Sequence, residues 1–439
     1  MPQRMTAILW LRRDLRLHDH PALEAARNGA DHLVPVFCFD DRLLHGRHAS
    51  GSRTQFLLEC LADLDRSLRA RGSRLVVRHG RPEVEIPRLA REVTATAVHF
   101  TGDVSGFARS RDQRVEQALD ATAHEHPGLF VVDDLGAMHT RAGKPYTVFT
   151  PFHRAWEQAP RREAAGTPRR LPPLPCGLDP GRLPALGDLG LRSEVTDPQP
   201  GGEHRAREAM PRFLSARAAG YAASRDLVAE PGTSRLSPHL HFGSLSAREL
   251  EAHATDHEFR RQLCWRDFFA HVLLHFPGNA HHEHQARYRG TLVWSRAHKR
   301  FEAWCEGRTG YPLVDAGMRQ LKREGWMHNR ARLVVGSFLT KDLGIDWRWG
   351  ERWFMRLLLD GDQASNNGNW QWIASVGVDP QPAFRRMFNP ERQRERFDPD
   401  GAYVRRYVPE LEDSERYPSP IVDHASARRD AMARHRQAR

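Results

Sequence analysis

The sequence predicts an α/β domain with a doubly wound parallel sheet, followed through a long linker by an all-α domain. In the N-terminal third, short apolar runs alternate with amphipathic helical patterns, which is typical of a parallel sheet covered by helices. Nine of the 29 prolines lie between residues 160 and 200, which indicates a linker. Nine of the eleven tryptophans lie at or beyond residue 265, where strand-type alternation is scarce. A chain of 439 residues is also too long for one compact core.

The α/β domain is predicted over residues 5–135, and five apolar runs mark its strands. The segment 55–71 carries one apolar stripe at helical spacing and illustrates the helices between them. The turn after the first strand runs from Arg12 to Asp19 and lacks G-x-G-x-x-G, so the usual dinucleotide fingerprint is absent. The predicted strands are 7–12, 33–39, 75–77, 97–100 and 129–132.

The remaining boundaries follow from composition. Residues 136–204 are predicted to form an interdomain linker draped over the surface, and residues 205–422 the helical domain. Within that domain, Ser246 followed by Glu249 fits a capping box at a helix start. Residues 423–439 are basic and weakly apolar, so we expect a frayed tail.

Net charge and cysteine usage indicate the kind of partner and the cellular compartment. The formal net charge is +11 and the isoelectric point is about 9.9, which favours a polyanionic partner, nucleic acid first. The five cysteines show neither CxxC nor metal-ligand spacing, so we expect free thiols and no metal site. With no signal-peptide pattern and no apolar run of membrane-spanning length, we expect a cytoplasmic monomer that associates with the nucleoid through DNA.

The segment from Asp360 to Trp372 carries the densest functional chemistry. Two carboxylates, two adjacent amides and two tryptophans fall within these 13 residues. Carboxylates accept hydrogen bonds from ring N–H groups or sugar hydroxyls, and an amide such as Asn366 both donates and accepts. An Asx-rich turn followed by buried tryptophans has the same composition, so the residues alone leave both interpretations open.

Two further segments are equally ambiguous in isolation. Thr233, Ser234 and Ser237 place hydroxyls where a pyrophosphate could sit, although ordinary helix caps use the same residues. Gln262, Trp265 and Arg266 share one helical face, which suits a flipped-out base but also a plain amphipathic helix. Arg332 is expected to form an ion pair with Asp360.

Taken together, these motifs resemble the photolyase/cryptochrome family, nearest to bacterial class I cyclobutane pyrimidine dimer photolyases. The resemblance covers most of residues 221–372 in the family's order, and the N-terminal α/β domain and linker also match its layout. The matching motifs are TSRLSPHLHFG, WRDFF, TGYPLVDAGMRQL, GWMHNRAR, SFLTKDL and DGDQASNNGNWQW.

The resemblance implies light-dependent DNA repair, in which excited reduced FAD donates an electron that splits the dimer. The implied catalytic residues are Gln262, Asn329 and Asn366, and the implied electron-transfer chain is Trp294, Trp347 and Trp370. FAD contacts are implied for Tyr221, Thr233, Ser234, Arg235, Leu236, Ser237, Arg332, Asp360, Asp362 and Asn366. Contacts to UV-damaged DNA are expected from Gln262, Trp265, Arg266, Asn329, Arg330, Leu333 and Trp372.

A second, antenna chromophore is also implied. The segment Asp103–Asp112 resembles that of deazaflavin-binding members, although Gly106 stands where they often have proline. This favours 8-hydroxy-deazaflavin over methenyltetrahydrofolate, with Phe37, Arg53 and Asp103 as expected contacts.

Two alternatives stay open within the family, a (6-4) photoproduct photolyase and a cryptochrome-type photoreceptor. Class I dimer photolyases usually carry Glu at the position of Gln262, whereas (6-4) enzymes commonly carry Gln. The (6-4) enzymes also have two histidines four residues apart, where this chain has Asn329 and Leu333. Strong basicity, and Asn366 rather than Asp beside the flavin, weigh against the photoreceptor.

Overall fold

The structure, a computed structural model, describes residues 5–216, 220–379, 381–413 and 415–438. Its N-terminal part is a five-stranded, fully parallel sheet with the strand order β3-β2-β1-β4-β5. The predicted doubly wound sheet is therefore confirmed. The strands are β1 Thr6–Leu11, β2 His32–Phe39, β3 Val76–His79, β4 Ala97–Thr101 and β5 Thr122–His126. The helices between and beside them are α1 Pro21–Arg27, α2 Asp41–Leu44, α3 Gly51–Arg69, α4 Pro82–Glu92 and α5 Gly106–Ala118.

The central strands read as continuous apolar runs because helices cover both of their faces. All six residues of β1 are buried, and so are seven of the eight residues of β2. Strands buried on both faces carry no alternation of polar and apolar residues, which is why these runs predicted a parallel sheet.

The fifth strand does not lie where the sequence predicted it. Residues 129–132 form no strand, and β5 is the polar, largely exposed segment Thr122–His126 at the sheet edge. An edge strand has a solvent-exposed face, so β5 carries little apolar signal. Val131 and Val132 are apolar for another reason: they pack into the core of the helical part, and their N–H groups donate to the carboxylate of Asp267.

The predicted linker is mostly irregular but contains one α-helix, α6 Phe149–Gln158, and a short 3-10 helix, Gly187–Leu189. It lies along the sheet domain, where Leu33 N–H donates to the Pro173 carbonyl and Val77 N–H to the Pro180 carbonyl. Leu171 is buried in the core of that domain. These contacts agree with a segment draped over the domain surface, and the boundaries at 136 and 204 stay predictions.

In the described residues of the C-terminal part, every named secondary-structure element is a helix. Its helices are α7 Glu203–Ala216, α8 Tyr221–Ser224, α9 Ser237–His241, α10 Ala247–His253, α11 His257–His275, α12 His298–Glu306, α13 Pro312–Glu324, α14 Asn329–Ser337, α15 Trp347–Leu357, α16 Gln363–Ala374, α17 Pro390–Phe397 and α18 Ala402–Tyr407. Short 3-10 helices cover Pro277–Ala280, Ala286–Tyr288, Ala383–Arg386 and Pro409–Glu412, and a π-helical turn covers Phe338–Asp342. As predicted, the Ser246 hydroxyl accepts from the Glu249 N–H at the start of α10.

The expectation of a frayed C-terminal tail is wrong. Asp423 caps a last helix, α19 His424–Gln437, and Ala427, Ala431 and His435 bury one face of it. The spacing of four residues places these three side chains on one stripe. Because alanine is small, the stripe has a low apolar content in sequence, yet it allows close helix packing.

A buried lysine joins α19 to the rest of the helical domain. The Lys341 Nζ atom donates to the Ala374 carbonyl at 2.8 Å and lies 3.1 Å from Nε2 of His435. Burial lowers the pKa of Lys341 well below its usual value and that of His435 to about 4. The two side chains therefore contact each other without repulsion between two positive charges.

Within the described residues, none of the helices combines the length and the apolarity that crossing a bilayer requires.

We predict that Ala431→Asp lowers the free energy of unfolding by about 3 kcal/mol, because it buries an unpaired carboxylate in a packed stripe. Ala425 lies on the exposed side of the same helix, so Ala425→Asp is the matched control and is expected to be nearly neutral. Denaturant unfolding followed by circular dichroism measures both. Equal stability of the two variants would mean that α19 does not pack as described.

Candidate functional site

A cavity of about 390 Å³ opens in the helical domain and gathers most of the residues singled out in the sequence. Helices α9, α11, α14 and α16 supply much of its wall. A volume of this size lies within the range typical of ligand sites. The predicted residues that line the cavity are Tyr221, Thr233, Ser234, Arg235, Leu236, Ser237, Gln262, Trp265, Arg266, Asn329, Arg332, Leu333, Asp360, Asp362 and Trp372.

A smaller recess of about 90 Å³ shares part of this wall. Asn366 and Trp370 line the recess, together with Asp360 from the main cavity. Asn366 is buried, and its amide nitrogen donates to the Glu351 carbonyl at 3.0 Å. The two carboxylates, the amide and the two tryptophans of the Asp360–Trp372 segment are thus brought to one connected space.

Asp360 is held from two sides and keeps one oxygen unpartnered. The predicted ion pair is present, with Arg332 Nη2 donating to Asp360 Oδ2 at 2.8 Å. The Ser237 hydroxyl donates to the same oxygen at 2.6 Å. Asp360 Oδ1 is buried and has no hydrogen-bond partner among the described residues. A buried carboxylate oxygen without a partner is costly, so it fits a ligand that donates a ring N–H or a hydroxyl there.

Asp362 is fixed by an arginine that comes from the sheet domain. Arg13 donates to Asp362 at 2.7 Å and to Asp103 at 3.2 Å. Asp362 also caps α16 by accepting from the Ser365 N–H at 2.8 Å. Burial by itself would raise the pKa of Asp362, yet the positive charge of Arg13 holds that pKa well below its usual range. Asp362 is therefore a carboxylate at neutral pH.

The segment Thr233–Ser237 surrounds one end of the cavity. Arg235 has a φ of 54°, a left-handed conformation that non-glycine residues rarely adopt. Its guanidinium pairs with Glu324 at 2.5 Å and lies over the Trp326 ring. Left-handed non-glycine residues cluster at ligand sites, and the preceding residues Thr233 and Ser234 line the cavity.

The cavity wall around Trp265 combines aromatic rings with side-chain amides. Trp265 stacks on Phe149 with ring centroids 3.6 Å apart and an interplanar angle of 2°, so one of its faces is already covered. Gln262 and Asn329 place side-chain amides on the same cavity. Such a surface can take a flat ring against Trp265 and satisfy its polar edge.

Two predicted DNA contacts, Arg266 and Arg330, are engaged within the protein. The Arg266 guanidinium donates to the carbonyls of Leu129 and Leu240, so it braces α11 although it lines the cavity. Arg330 pairs with Asp226 at 2.8 Å and stacks over Phe397, and it does not line the cavity. Both guanidiniums therefore have partners within the protein, although Nε of Arg330 is buried without a hydrogen-bond partner among the described residues. Their contacts to DNA stay predictions.

The three predicted electron-transfer tryptophans differ in their surroundings. Trp370 lines the recess and meets Phe354 edge-to-face at 5.0 Å. Trp347 is buried and its indole N–H donates to Glu283 at 3.4 Å, whereas Trp294 is half-buried. Trp370 at the recess and the half-buried Trp294 are therefore suited to the two ends of an electron path between the recess and solvent.

The residues predicted for the antenna are each engaged within the protein. Arg53 donates to the carbonyls of Met355 and Leu358, and burial lowers its pKa to about 10. Asp103 pairs with Arg13, and Phe37 packs edge-on against Phe39. The antenna contacts stay a prediction.

Arg13, which holds Asp362, and His241 are among the residues at the site that the sequence analysis did not single out. Arg13 follows the first strand, and ligand sites in open parallel sheets lie beyond the carboxyl ends of strands, which is the signal that could have found it. His241 also lines the cavity, and burial lowers its pKa well below the usual value. It lies at the end of the Thr233–Gly243 run, but nothing in that run distinguishes it from a core histidine.

We predict that Arg13→Gln lowers the free energy of unfolding by about 2 kcal/mol, because Asp362 and Asp103 lose their shared cation. Arg69→Gln, which removes an exposed pair with Asp65, is the control and is expected to change stability little. Thermal unfolding compares them. The bridge would be unimportant if both variants unfolded at the wild-type temperature.

Comparisons with known proteins agree with the geometry. A family model described as the FAD binding domain of DNA photolyase matches residues 259–416, and one described as DNA photolyase matches residues 7–175. The deoxyribodipyrimidine photo-lyase of Halobacterium salinarum is 40% identical, covering 98% of this chain and 99% of the relative. That of Streptomyces griseus is also 40% identical, covering 96% and 97%.

Solved structures show the same fold. A bacterial class III photolyase from Agrobacterium tumefaciens has a TM-score of 0.90 at 34% identity, covering 100% of this chain and 98% of that one. A cryptochrome from Synechocystis has a TM-score of 0.88 at 28% identity, covering 99% and 100%. Since both the sheet domain and the cavity-bearing helices match, the chain belongs to the DNA photolyase family, within the photolyase/cryptochrome fold.

Proposed function

We propose that this protein, a lyase of the photolyase family, binds FAD in the helical domain and splits cyclobutane pyrimidine dimers in DNA with light. The observation that carries the proposal is the shared cavity, in which carboxylates and hydroxyls suited to a flavin nucleotide adjoin an amide and tryptophan wall suited to paired bases. The relatives named deoxyribodipyrimidine photo-lyase support the same reaction class.

The residues present fit FAD. The unpartnered Asp360 Oδ1 suits a ring N–H, and the hydroxyls at Thr233 and Ser234 suit a phosphate or ribose. Arg332 keeps Asp360 oriented, and Asn366 forms part of the adjoining recess. Reduced FAD, when bound, supplies an electron donor that light can excite. The protein's own contribution is to bind, to orient and to exclude water.

The lesion wall favours a dimer held by shape and hydrogen bonds. The open part of Trp265 offers a surface for stacking, and the Gln262 amide can accept from a pyrimidine N–H and donate to a carbonyl. Leu333 adds an apolar contact on the opposite helix, α14. A damaged pair is already poorly stacked, so moving it into the cavity costs less than flipping intact bases.

The same wall disfavours (6-4) repair, because that reaction moves a hydroxyl and needs a proton donor. Asn329 and Leu333 lack a titratable proton near neutral pH. His328 is adjacent, but it is buried and its Nδ1 accepts from the Arg330 N–H. Burial lowers the pKa of His328 to about 4, so its ring is neutral at pH 7 and is a poor general acid.

We propose that electrons which reduce bound oxidised FAD pass through Trp370, Trp347 and Trp294. Indole rings are readily oxidised, and Trp370 borders the recess beside Asn366.

The net charge of +11 supports binding to DNA phosphates. We further propose that the protein acts as a monomer and carries an 8-hydroxy-deazaflavin antenna near Asp103.

We predict that reduced protein removes cyclobutane dimers from duplex DNA under near-UV or blue light and leaves (6-4) products in place. Gln262→Leu is expected to weaken dimer-specific binding by about tenfold, since one polar contact contributes roughly 1–2 kcal/mol. Lesion loss is measured by chromatography, with dark samples as the control. Repair of (6-4) DNA alone would refute the histidine argument, and repair of neither lesion by FAD-loaded protein would favour a photoreceptor.

We predict that Trp370→Phe blocks light-driven reduction of bound oxidised FAD but spares repair by protein that is already reduced. Phenylalanine is much harder to oxidise than tryptophan yet keeps most of the packing volume. Trp353→Phe, at a half-buried tryptophan outside the proposed chain, is the control. The absorbance of FAD at fixed illumination reports the rate, and normal photoreduction in the Trp370 variant would exclude this path.

The antenna is tested by the absorption spectrum of protein isolated from its native host. We expect a deazaflavin band in addition to that of FAD. A folate band in its place would overturn the choice of chromophore.

A further inference from the structure

A second cluster of chemistry-bearing side chains lies outside the cavity, where α6 meets α11. His153 and Glu157 are four residues apart on α6, and His257 is the first residue of α11. One ligand atom from each side chain lies within 4.8 Å of the other two. Across the parts of the chain that the structure describes, no other group of three such side chains meets this condition.

Two of the separations are close to those that a metal ion imposes. His257 Nε2 lies 3.4 Å from Glu157 Oε1, and His153 Nδ1 lies 3.7 Å from Glu157 Oε2. A tetrahedral zinc ion with bonds of about 2.0–2.1 Å holds its donor atoms about 3.3–3.4 Å apart. The His257–Glu157 separation fits this value, and the His153–Glu157 separation is longer and goes to the other carboxylate oxygen, so side-chain rotation is needed to bring all three donors onto one ion.

The donor set and its exposure point to a transition metal. Two imidazoles and one carboxylate, with a water in the fourth position, form a ligand set well suited to zinc. His153 is buried, whereas the side chains of Glu157 and His257 are 40% and 60% exposed, so an ion has an open entry path. Glu258 Oε1 lies 3.7 Å from Nδ1 of His257 and adds negative charge beside the site.

We propose that His153, Glu157 and His257 bind one Zn²⁺ ion, which ties α6 to the start of α11. The consequence reaches the cavity, because Phe149 at the start of α6 stacks on Trp265 two turns along α11. An ion at the helix junction holds that stacked pair in place. None of its three ligands lines the cavity, so zinc binding can be measured separately from repair.

Isothermal titration of Zn²⁺ into the full-length, FAD-containing protein tests the site. We expect one ion per chain in the wild type and an affinity at least about tenfold weaker in His257→Ala and Glu157→Gln, since even the loss of an outer-shell partner has effects of that size. Both changed side chains are substantially exposed, so the variants are expected to fold.

The chain offers a matched control. His204 and Glu208 form an i,i+4 pair on α7 with a separation of 3.2 Å, but no third donor is grouped with them among the described residues. His204→Ala is therefore expected to keep the wild-type zinc affinity. Zinc should also raise the unfolding temperature of the wild type and of His204→Ala, but not that of His257→Ala. Equal zinc affinities in all four proteins, or no one-to-one site in the wild type, would overturn the assignment.

Discussion

The bridge from Arg13 to Asp362 and Asp103 is the interaction on which the site most depends. It joins the loop after the central strand β1 to the start of α16, and so it links the sheet domain to the cavity wall. Two carboxylates share one cation in a largely buried place, and each would be unfavourable there without it. Asp103, which is expected near the antenna, and Asp362, which is expected at the flavin, are thus ion-paired to the same guanidinium.

A second buried carboxylate organises the opposite wall. Asp267 on α11 accepts from the N–H groups of Val131 and Val132 and from the Trp156 indole, all through one oxygen. Burial raises its pKa to about 6 despite these donors and the nearby Arg266. By accepting from the chain that leaves β5 and from α6, Asp267 fixes α11, the helix that presents Gln262 and Trp265 to the cavity.

The tryptophans show how one residue type serves packing and function together. Trp304 is fully buried and meets Trp370 edge-to-face at 6.2 Å, so it fills the helical core beside the recess. Trp370 has the same surroundings on one side but borders the recess on the other. Since the two indoles have the same intrinsic chemistry, only the position of Trp370 beside the recess makes it a candidate for electron transfer.

The sequence by itself determined the fold class and most of the cavity. Apolar runs without alternation predicted a parallel sheet because both of its faces are covered, and the Thr233–Ser237 and Asp360–Trp372 segments held their cavity residues close together in the chain. The Arg332–Asp360 pair followed from opposite charges in motifs of one recognisable family.

Only the tertiary structure decided which partner an isolated charged residue takes and where a weakly apolar segment packs. β5 and α19 escaped prediction because an exposed edge strand and an alanine stripe carry little hydrophobic contrast. Arg13, Arg266 and Arg330 are alike in sequence, yet one bridges domains, one braces carbonyls and one pairs with an acid elsewhere. A long cationic side chain takes whichever partner lies within reach in the fold, and that partner is often more than a hundred residues away in the chain.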